Sequence, residues 1–542
     1  MSTAVEAARS SPIHQNQIHR SDLVKLLIIV FLLVTVICPL GTMLANMAGS
    51  DVSAVLRLPR FKESLINSIC TAGTATVISI GLAWGFALCV VRSRMRFREQ
   101  FRVFVTLPML IPSISHGMGL VLLLGANGIL TRLFGLSRTI YGFQGIVVGS
   151  VLYSFPVAFL MLADILKYED GSPYEAAAVL GIPRPNQFFS ISFPYLRKPL
   201  ISVVFAVFTL IFTDYGVPLM IGGMYITLPV LMYQEVIGLL NFSRGSVIGS
   251  FLLIPAVIAF VFDLLNRDKA NMNFVVQEKA KAENKFRDAA ATAYSVIICI
   301  IIALPVVVFA FLVFINSYPI DMGFSFHNII KTMNMGAKRY FVNSLTTAVF
   351  VAAFGTIISW ITAYFTARTP GKSSRILHLF FITSLAIPGM VLGLSFVLFF
   401  KTAFFYGSIA MLVMVNMVHF MASPYLMAYN SLGKLNIYLE DVGKTLGIGR
   451  FRIIRDVLIP QTRLTILEMF SYFFVNSMIT ISAVSFLSTV RNRPVSLMIT
   501  QFEANLFLEG AAFISILILI CNLIMKYLVY VITRIIKRRD KR

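Results

Sequence analysis

The sequence predicts an all-α membrane protein: twelve transmembrane helices in two tandem six-helix repeats set in parallel orientation. Three observations predict it. Apolar residues fill 58% of the 542 positions and charged residues only 13%, which leaves too little polar surface for a soluble fold of this length. Apolar runs of about 20 residues recur along the whole chain, each enough to cross about 30 Å of hydrocarbon. Short motifs of the first half also return in the second at a nearly constant spacing.

The runs lie near 22–48, 63–91, 100–125, 143–167, 199–222 and 245–265, then 289–317, 341–367, 377–402, 407–431, 463–489 and 511–535. Lipid offers the backbone no hydrogen-bond partners, so these runs must be helices rather than open sheets. Leu65-Ile66-Asn67-Ser68 returns as Phe341-Val342-Asn343-Ser344, 276 positions on, and Pro112/Pro388 and Gly117/Gly393 keep that spacing. Pro156 and Pro424 are 268 apart, Gly181 and Gly447 are 266 apart, and Pro229 and Pro494 are 265 apart. A spacing that shrinks in a few small steps is a duplication with short deletions in the second copy. Six helices is an even number, so both copies face the same way, related by an axis along the membrane normal, with a pathway at their interface. The expected organisation is an N-terminal tail 1–21, repeats 22–265 and 289–535, a polar linker 266–288 and a basic tail 536–542. Within the repeats, long loops occupy 168–198 and 432–462.

A net charge of +22 invites a nucleic-acid reading, but its distribution does not. With the N-terminus placed inside, most Lys and Arg fall on cytosolic segments, the positive-inside bias of membrane proteins. Both termini are then cytosolic, and the basic clusters at Arg92–Arg102 and Arg534–Arg542 serve topology and lipid headgroups. The five cysteines all fall inside spans without metal-ligand spacing and read as small apolar fillers. The first span is too long for a signal-peptide core and stays as a helix.

The loop Glu175–Pro194 reads EAAAVLGIPRPNQFFSISFP, and Asp441–Pro460 reads DVGKTLGIGRFRIIRDVLIP. Pro173 can open a helix and Glu175 suits its positive end. Ala176, Ala177 and Ala178 propagate it, Gly181 and Pro183 stop it, and a second short helix is expected to end at Pro194. A stubby helix-turn-helix with a small-residue surface lets a partner protein come close. An acid, two alanines, a glycine four residues later and a closing hydrophobic-Pro pair resemble the coupling loop of ABC-importer permeases of the binding-protein-dependent kind. Glu175, Ala176, Ala177, Gly181 and Pro194 fit that pattern. In the second copy Asp441, Val442 and Gly443 replace the opening, while Gly447 and Pro460 fit; Gly443 is expected to loosen the helix start. The resemblance spans both halves. It implies a type I permease subunit in a bacterial inner membrane, two copies of a cytosolic ATPase seated on the loops, and an extracytoplasmic binding protein that delivers the solute. The chain carries no G-x-x-x-x-G-K-[ST] loop, so hydrolysis belongs to the partner; no enzyme activity and no cofactor are expected of this chain.

The fused two-half form is similar to permeases for ferric iron, thiamine, hexose phosphates and 2-aminoethylphosphonate. Phe212-Thr213-Asp214-Tyr215-Gly216-Val217-Pro218, Ile221-Gly222-Gly223 and Val415-Asn416-Met417-Val418-His419-Phe420 resemble the last group. Asp214 is the sharpest intramembrane residue, because an ionisable side chain in a span faces a partner or a wet cavity. It reads either as a pathway residue for a substrate amine or as a buried carboxylate at a helix break. Thr480 stands at its place in the second copy. Tyr215, His116 and His419 complete the candidate pathway, although a lone intramembrane histidine is more often packed and hydrogen-bonded. A major-facilitator-type transporter would also have twelve spans, but it would carry a G-x-x-x-D-R-x-G-R-like loop after the second helix, where this chain has VRSRMRFREQ.

Overall fold

The computed structural model describes residues 12–49, 51–135, 139–266, 284–369 and 371–540. The expected tail 1–21 and linker 266–288 lie mostly outside the described residues. Among the described residues, nine helices are long and apolar enough to cross a membrane, and two bent helix pairs bring the number to eleven. Ile459–Ile479, the counterpart of Phe193–Phe212, completes six helices in each half. It is less apolar because Gln461, Arg463 and Glu468 lie in its first half. A short hairpin, Ile315–Ser317 paired with Asp321–Phe324, is the only sheet among the described residues.

Several spans differ from plain rods. The run near 377–402 is Lys372–Ala386 followed by Gly389–Phe400, bent by 109° at Pro388, and 407–431 is Ile409–Phe420 and Ala422–Gly433, bent by 53°. The run near 199–222 ends as a helix at Phe212 and resumes as the short helix Gly216–Ile221. The run near 463–489 stops at Ile479, and residues 480–494 continue without regular helix. Mean hydropathy cannot distinguish a span from a helix that breaks and folds back, because both are equally apolar. Non-helical backbone survives at this depth only where protein or a cavity satisfies it. Here side chains do so: Ser68 Oγ accepts from Leu228 N at 2.7 Å and Ser344 Oγ from Val495 N at 2.8 Å. Asn67 Nδ2 donates to Ile226 O at 3.0 Å, and Asn343 Nδ2 to Arg491 O at 3.0 Å. The duplicated Asn-Ser pair therefore fastens the irregular segments that precede each half's last helix.

Within the first half, Pro59–Arg92 packs along Phe143–Lys167, with Phe86 edge-on to Phe155 and Phe159 at 5.8 and 4.9 Å. In the second, Lys338–Arg368 packs on Ile459–Ile479, Gly355 making room for the Phe473 ring. The first helix of each half crosses to the other. Cys38–Asn46 packs against Gly389–Phe400, and Lys285–Leu312 packs against Ser113–Leu124. At the latter crossing a Cβ on Gly119 would stand 2.6 Å from Pro305 Cβ, so only glycine permits that approach. The halves are thus laced together. Large side chains on the outer faces of these helices, among them Ile66, Val77, Ile300 and Ile357, are exposed, as lipid contact requires.

Candidate functional site: two helical elbows and the crossing of the halves

Both loops build the same elbow. In the first, helix Ser172–Val179 ends at Gly181, whose φ is +66°, and in the second, helix Leu439–Thr445 ends at Gly447, with φ +69°. The left-handed residue allows a reverse turn that satisfies the last helical carbonyls. Ile182 N donates to Ala177 O at 2.9 Å and Gly181 N to Ala178 O at 3.1 Å. Ile448 N donates to Gly443 O at 2.8 Å and Gly447 N to Lys444 O at 3.1 Å. A second short helix follows, Arg184–Gln187 or Arg450–Ile453, and then one π-helical turn, Phe188–Ser192 or Ile454–Leu458.

Two expectations are corrected here. Pro194 and Pro460 do not end a helix: the chain stays helical through both into Phe193–Phe212 and Ile459–Ile479. A proline removes one amide donor and its ring clashes with the carbonyl four residues back; the wide turn just before each proline absorbs that misfit. Gly443 does not loosen the second elbow. It is buried inside helix Leu439–Thr445, and a Cβ there would lie 2.2 Å from Ile453 Cδ1. The first copy has the reverse pairing at these positions, with Ala177 buried and Gln187 donating to Ile182 O at 2.7 Å.

Glu175, Ala176, Gly181 and Pro194 are exposed, as are Asp441, Val442, Gly447 and Pro460. Around them stand large bare apolar side chains: Val179 at 88% and Leu180 at 75% exposure on one elbow, Leu446 at 68% and Phe451 at 77% on the other. All four lie outside the candidate spans and leave apolar surface bare on each elbow. Asp441 pairs with Lys444 at 2.8 Å on the surface; the hydrogen bond and charge of that ammonium hold the Asp441 carboxyl below the usual carboxylate range.

The inner candidates split into groups. The carboxylate of Asp214 accepts from Val217 N at 3.0 Å and Gly216 N at 3.4 Å and takes the Ser113 hydroxyl. It therefore caps the helix Gly216–Ile221. Tyr215 is buried and ties the halves, its hydroxyl 2.7 Å from Ser485 Oγ and its ring stacked on Tyr233 at 5.5 Å. Thr480 contributes its carbonyl, which accepts from Ser496 Oγ at 2.8 Å. The next residue, Ile481, meets Gly216 across the interface. His116 is buried with its ring edge-on to Tyr153 at 5.8 Å. His419 sits in the other half against Phe420 at 4.5 Å and beside Gly389. The structure thus joins Asp214, Tyr215 and the chain at Thr480, and leaves each histidine in its own half. Sequence reasoning passed over Ser115–Ser515 at 2.9 Å and Asn522 Nδ2 to Leu110 O at 2.9 Å; both join the halves, and neither carries a signature in the primary pattern.

Two laced six-helix halves, each presenting the same apolar elbow, define the membrane-spanning subunit of an ABC importer in fused form. The chain belongs to the family described as binding-protein-dependent transport system inner membrane component, whose model matches residues 75–267 and 355–539. It is similar to the ferric transport system permease protein FbpB of Actinobacillus pleuropneumoniae, 25% identical over 88% of this chain and 72% of that one. A putative ferric permease of Haemophilus influenzae is 25% identical over 82% and 73%. The molybdenum permease ModB of Azotobacter vinelandii is 30% identical over 28% of this chain and 69% of its own length. It is a multi-pass inner-membrane protein that works with an ATPase and a binding protein.

Proposed function

We propose that this chain is the fused transmembrane component of an importer that seats two copies of a cytosolic ATPase, one on each elbow, and admits a small solute handed over by an extracytoplasmic binding protein. The observation that carries this reading is the repeated elbow: same turn, same left-handed glycine, same π-helical turn, and an apolar knuckle bare in both. Hydrolysis then takes place on the partner, and the termini and elbows share the cytosolic face. Purifying the chain with its ATPase tests the copy number; a ratio of one ATPase per chain would refute it.

The proposed solute is 2-aminoethylphosphonate. Support comes from the strings around Asp214 and His419 and from Asp214 itself, a carboxylate suited to a substrate ammonium. Ferric iron is the second reading, favoured by the names of the relatives that match most of the chain. Titrating the cognate binding protein with each ligand separates them: saturable binding of ferric iron without binding of the aminophosphonate would overturn the first. Asp214→Asn separates the two roles of that residue. Asparagine keeps one acceptor oxygen for the shorter bond, from Val217 N, and gives up the longer one from Gly216 N. As a capping residue it ranks with aspartate, so the melting temperature and ATPase co-purification should change little. If the charge meets the solute, uptake should fall about tenfold or more, a loss of about 1.4 kcal/mol of interaction. Full uptake would leave Asp214 as a cap alone.

A further inference from the structure

We infer that two arginine–carboxylate clasps with buried acids, Arg92 with Glu169 and Arg368 with Glu440, are positioning residues that fasten each elbow to the helix core of its own half. Movement of an elbow is then passed to the membrane helices and not absorbed in the loop. This deepens the importer reading and rests on it for its consequence.

Each arginine is the last residue of the second helix of its half, Pro59–Arg92 or Lys338–Arg368, and the two are 276 positions apart, the spacing of the duplication. Each carboxylate is buried, Glu169 at 4% and Glu440 at 8% exposure. The Arg368 side chain, 2% exposed, distributes its donors over the root of the elbow: Nε to Glu440 Oε1 at 2.8 Å, Nη1 to Leu435 O at 2.8 Å and Nη2 to Asn436 O at 2.7 Å. A lysine could not make that fork. In the first half Arg92 pairs with Glu169, Glu169 takes the Tyr174 hydroxyl, and Tyr174 meets Ser192 Oγ. Tyr174 lies on the elbow helix and Ser192 in the π-helical turn, so one clasp joins helix end, elbow and the root of the next span.

The acids are not equivalent in the repeat. Glu440 stands at the place of Tyr174, and Leu435, whose carbonyl Arg368 also holds, lies five residues before Glu440 as Glu169 lies five before Tyr174. The arginine is kept while its acid changes position, so the same tie is made in two ways. A buried ion pair adds little net stability over an apolar substitute but is costly to break; what it supplies here is a fixed geometry between two elements.

The test uses the full-length chain. In Arg92→Gln, amide hydrogen exchange over 172–179 should rise tenfold or more while 439–445 stays within twofold, and Arg368→Gln should show the converse. In vesicles holding the chain with its ATPase and loaded binding protein, solute taken up per ATP hydrolysed should fall fivefold or more while the ATPase still co-purifies. The exchanged pair Arg92→Glu with Glu169→Arg re-forms the ion pair but takes the carboxylate acceptor from the Tyr174 hydroxyl, so it should recover part, at least twofold, of the loss in both readouts. Unchanged exchange, an unchanged uptake-to-ATP ratio, loss of uptake together with ATPase co-purification, or no recovery in the exchanged pair would each overturn the proposal. The exchange and rescue measurements need no ATP-driven import. A wild-type chain without such import would therefore refute the importer reading, while the clasps would still be judged by exchange.

Discussion

Gly216→Ser should cut uptake by tenfold or more and lower the melting temperature of the purified chain, and adding Ser113→Gly, which removes the shortest of the new contacts, should recover part of both losses. A Cβ on Gly216 would fall 2.3 Å from Ser113 Oγ, 2.8 Å from Ile114 N and 2.8 Å from Ile481 Cδ1. The last atom belongs to the other half, so the extra volume wedges the two repeats apart at their crossing. Overpacking of this kind costs about 1–3 kcal/mol, and here part of it falls on backbone, which cannot rotate away. The second repeat shows the remedy. Gly389 stands 276 positions after Ser113 and Ser482 stands 266 after Gly216, and a Cβ on Gly389 would lie 2.2 Å from Ser482 Oγ. Each repeat therefore carries one serine and one glycine at this contact, with the assignment reversed. The double variant copies the second arrangement into the first. It keeps the contacts with Ile114 N and Ile481 and forfeits the Ser113 hydroxyl bond to Asp214, worth about 0.5–1.5 kcal/mol net, so recovery stops short of complete. Uptake by reconstituted vesicles and thermal unfolding in detergent check it; a double variant no better than Gly216→Ser would deny the coupling between the two sites.

How far the sequence goes is clearest at these duplicated contacts. The elbows were legible because their determinants are local: an acid and alanines to start a helix, and a glycine that alone adopts a left-handed turn at 181 and 447 without strain. The parallel pair of six-helix halves was legible because a duplication repeats spacing as well as residues. The clasps were not, since Arg92 and Arg368 match in register but their acids do not, and a search for repeated pairs finds only half of each. Breaks after Phe212 and Ile479 were hidden because apolar content is the same on both sides of a break; Gly216 and Pro218 hinted at the first, and nothing comparable follows Ile479. The lacing of Cys38–Asn46 and Lys285–Leu312 onto opposite halves leaves no mark in the chain beyond single glycines such as Gly119. The role of Gly443 was misread for a related reason: a glycine in a helix looks weak until the side chain that fills its space, Ile453, is known.

That last point leads to a second expected result. Gly443→Ala brings the second elbow closer to the E-A-A pattern of the first, yet it should weaken ATPase binding at that elbow several-fold, and Ile453→Gln added to it should restore the loss. Two effects oppose each other. Alanine favours helix over glycine by up to about 1 kcal/mol. Against this, its methyl would stand 2.2 Å from Ile453 Cδ1 and 3.1 Å from Cγ1, at the over-packing cost of about 1–3 kcal/mol. Rotation about χ2 can carry Cδ1 aside, but χ1 of a β-branched side chain is nearly fixed within a helix, so Cγ1 stays 3.1 Å from the new methyl. Ile453 is buried, and the turned Cδ1 meets packed neighbours, so the short helix Arg450–Ile453 shifts outward, and with it the bare Phe451 ring. Glutamine at 453 recreates the pair that the first elbow uses, Ala177 with Gln187, and can donate to the carbonyl of Ile448 as Gln187 does to Ile182. Amide exchange over 439–445 and the ratio of co-purified ATPase to chain measure the outcome. If Gly443→Ala left both unchanged, Ile453 would have room to yield and the glycine would be a neutral departure from the pattern. If the single variant weakened the elbow and the double variant restored it, the two elbows would be two packings of one design, and the shortened acid at Asp441 would be the remaining difference between them.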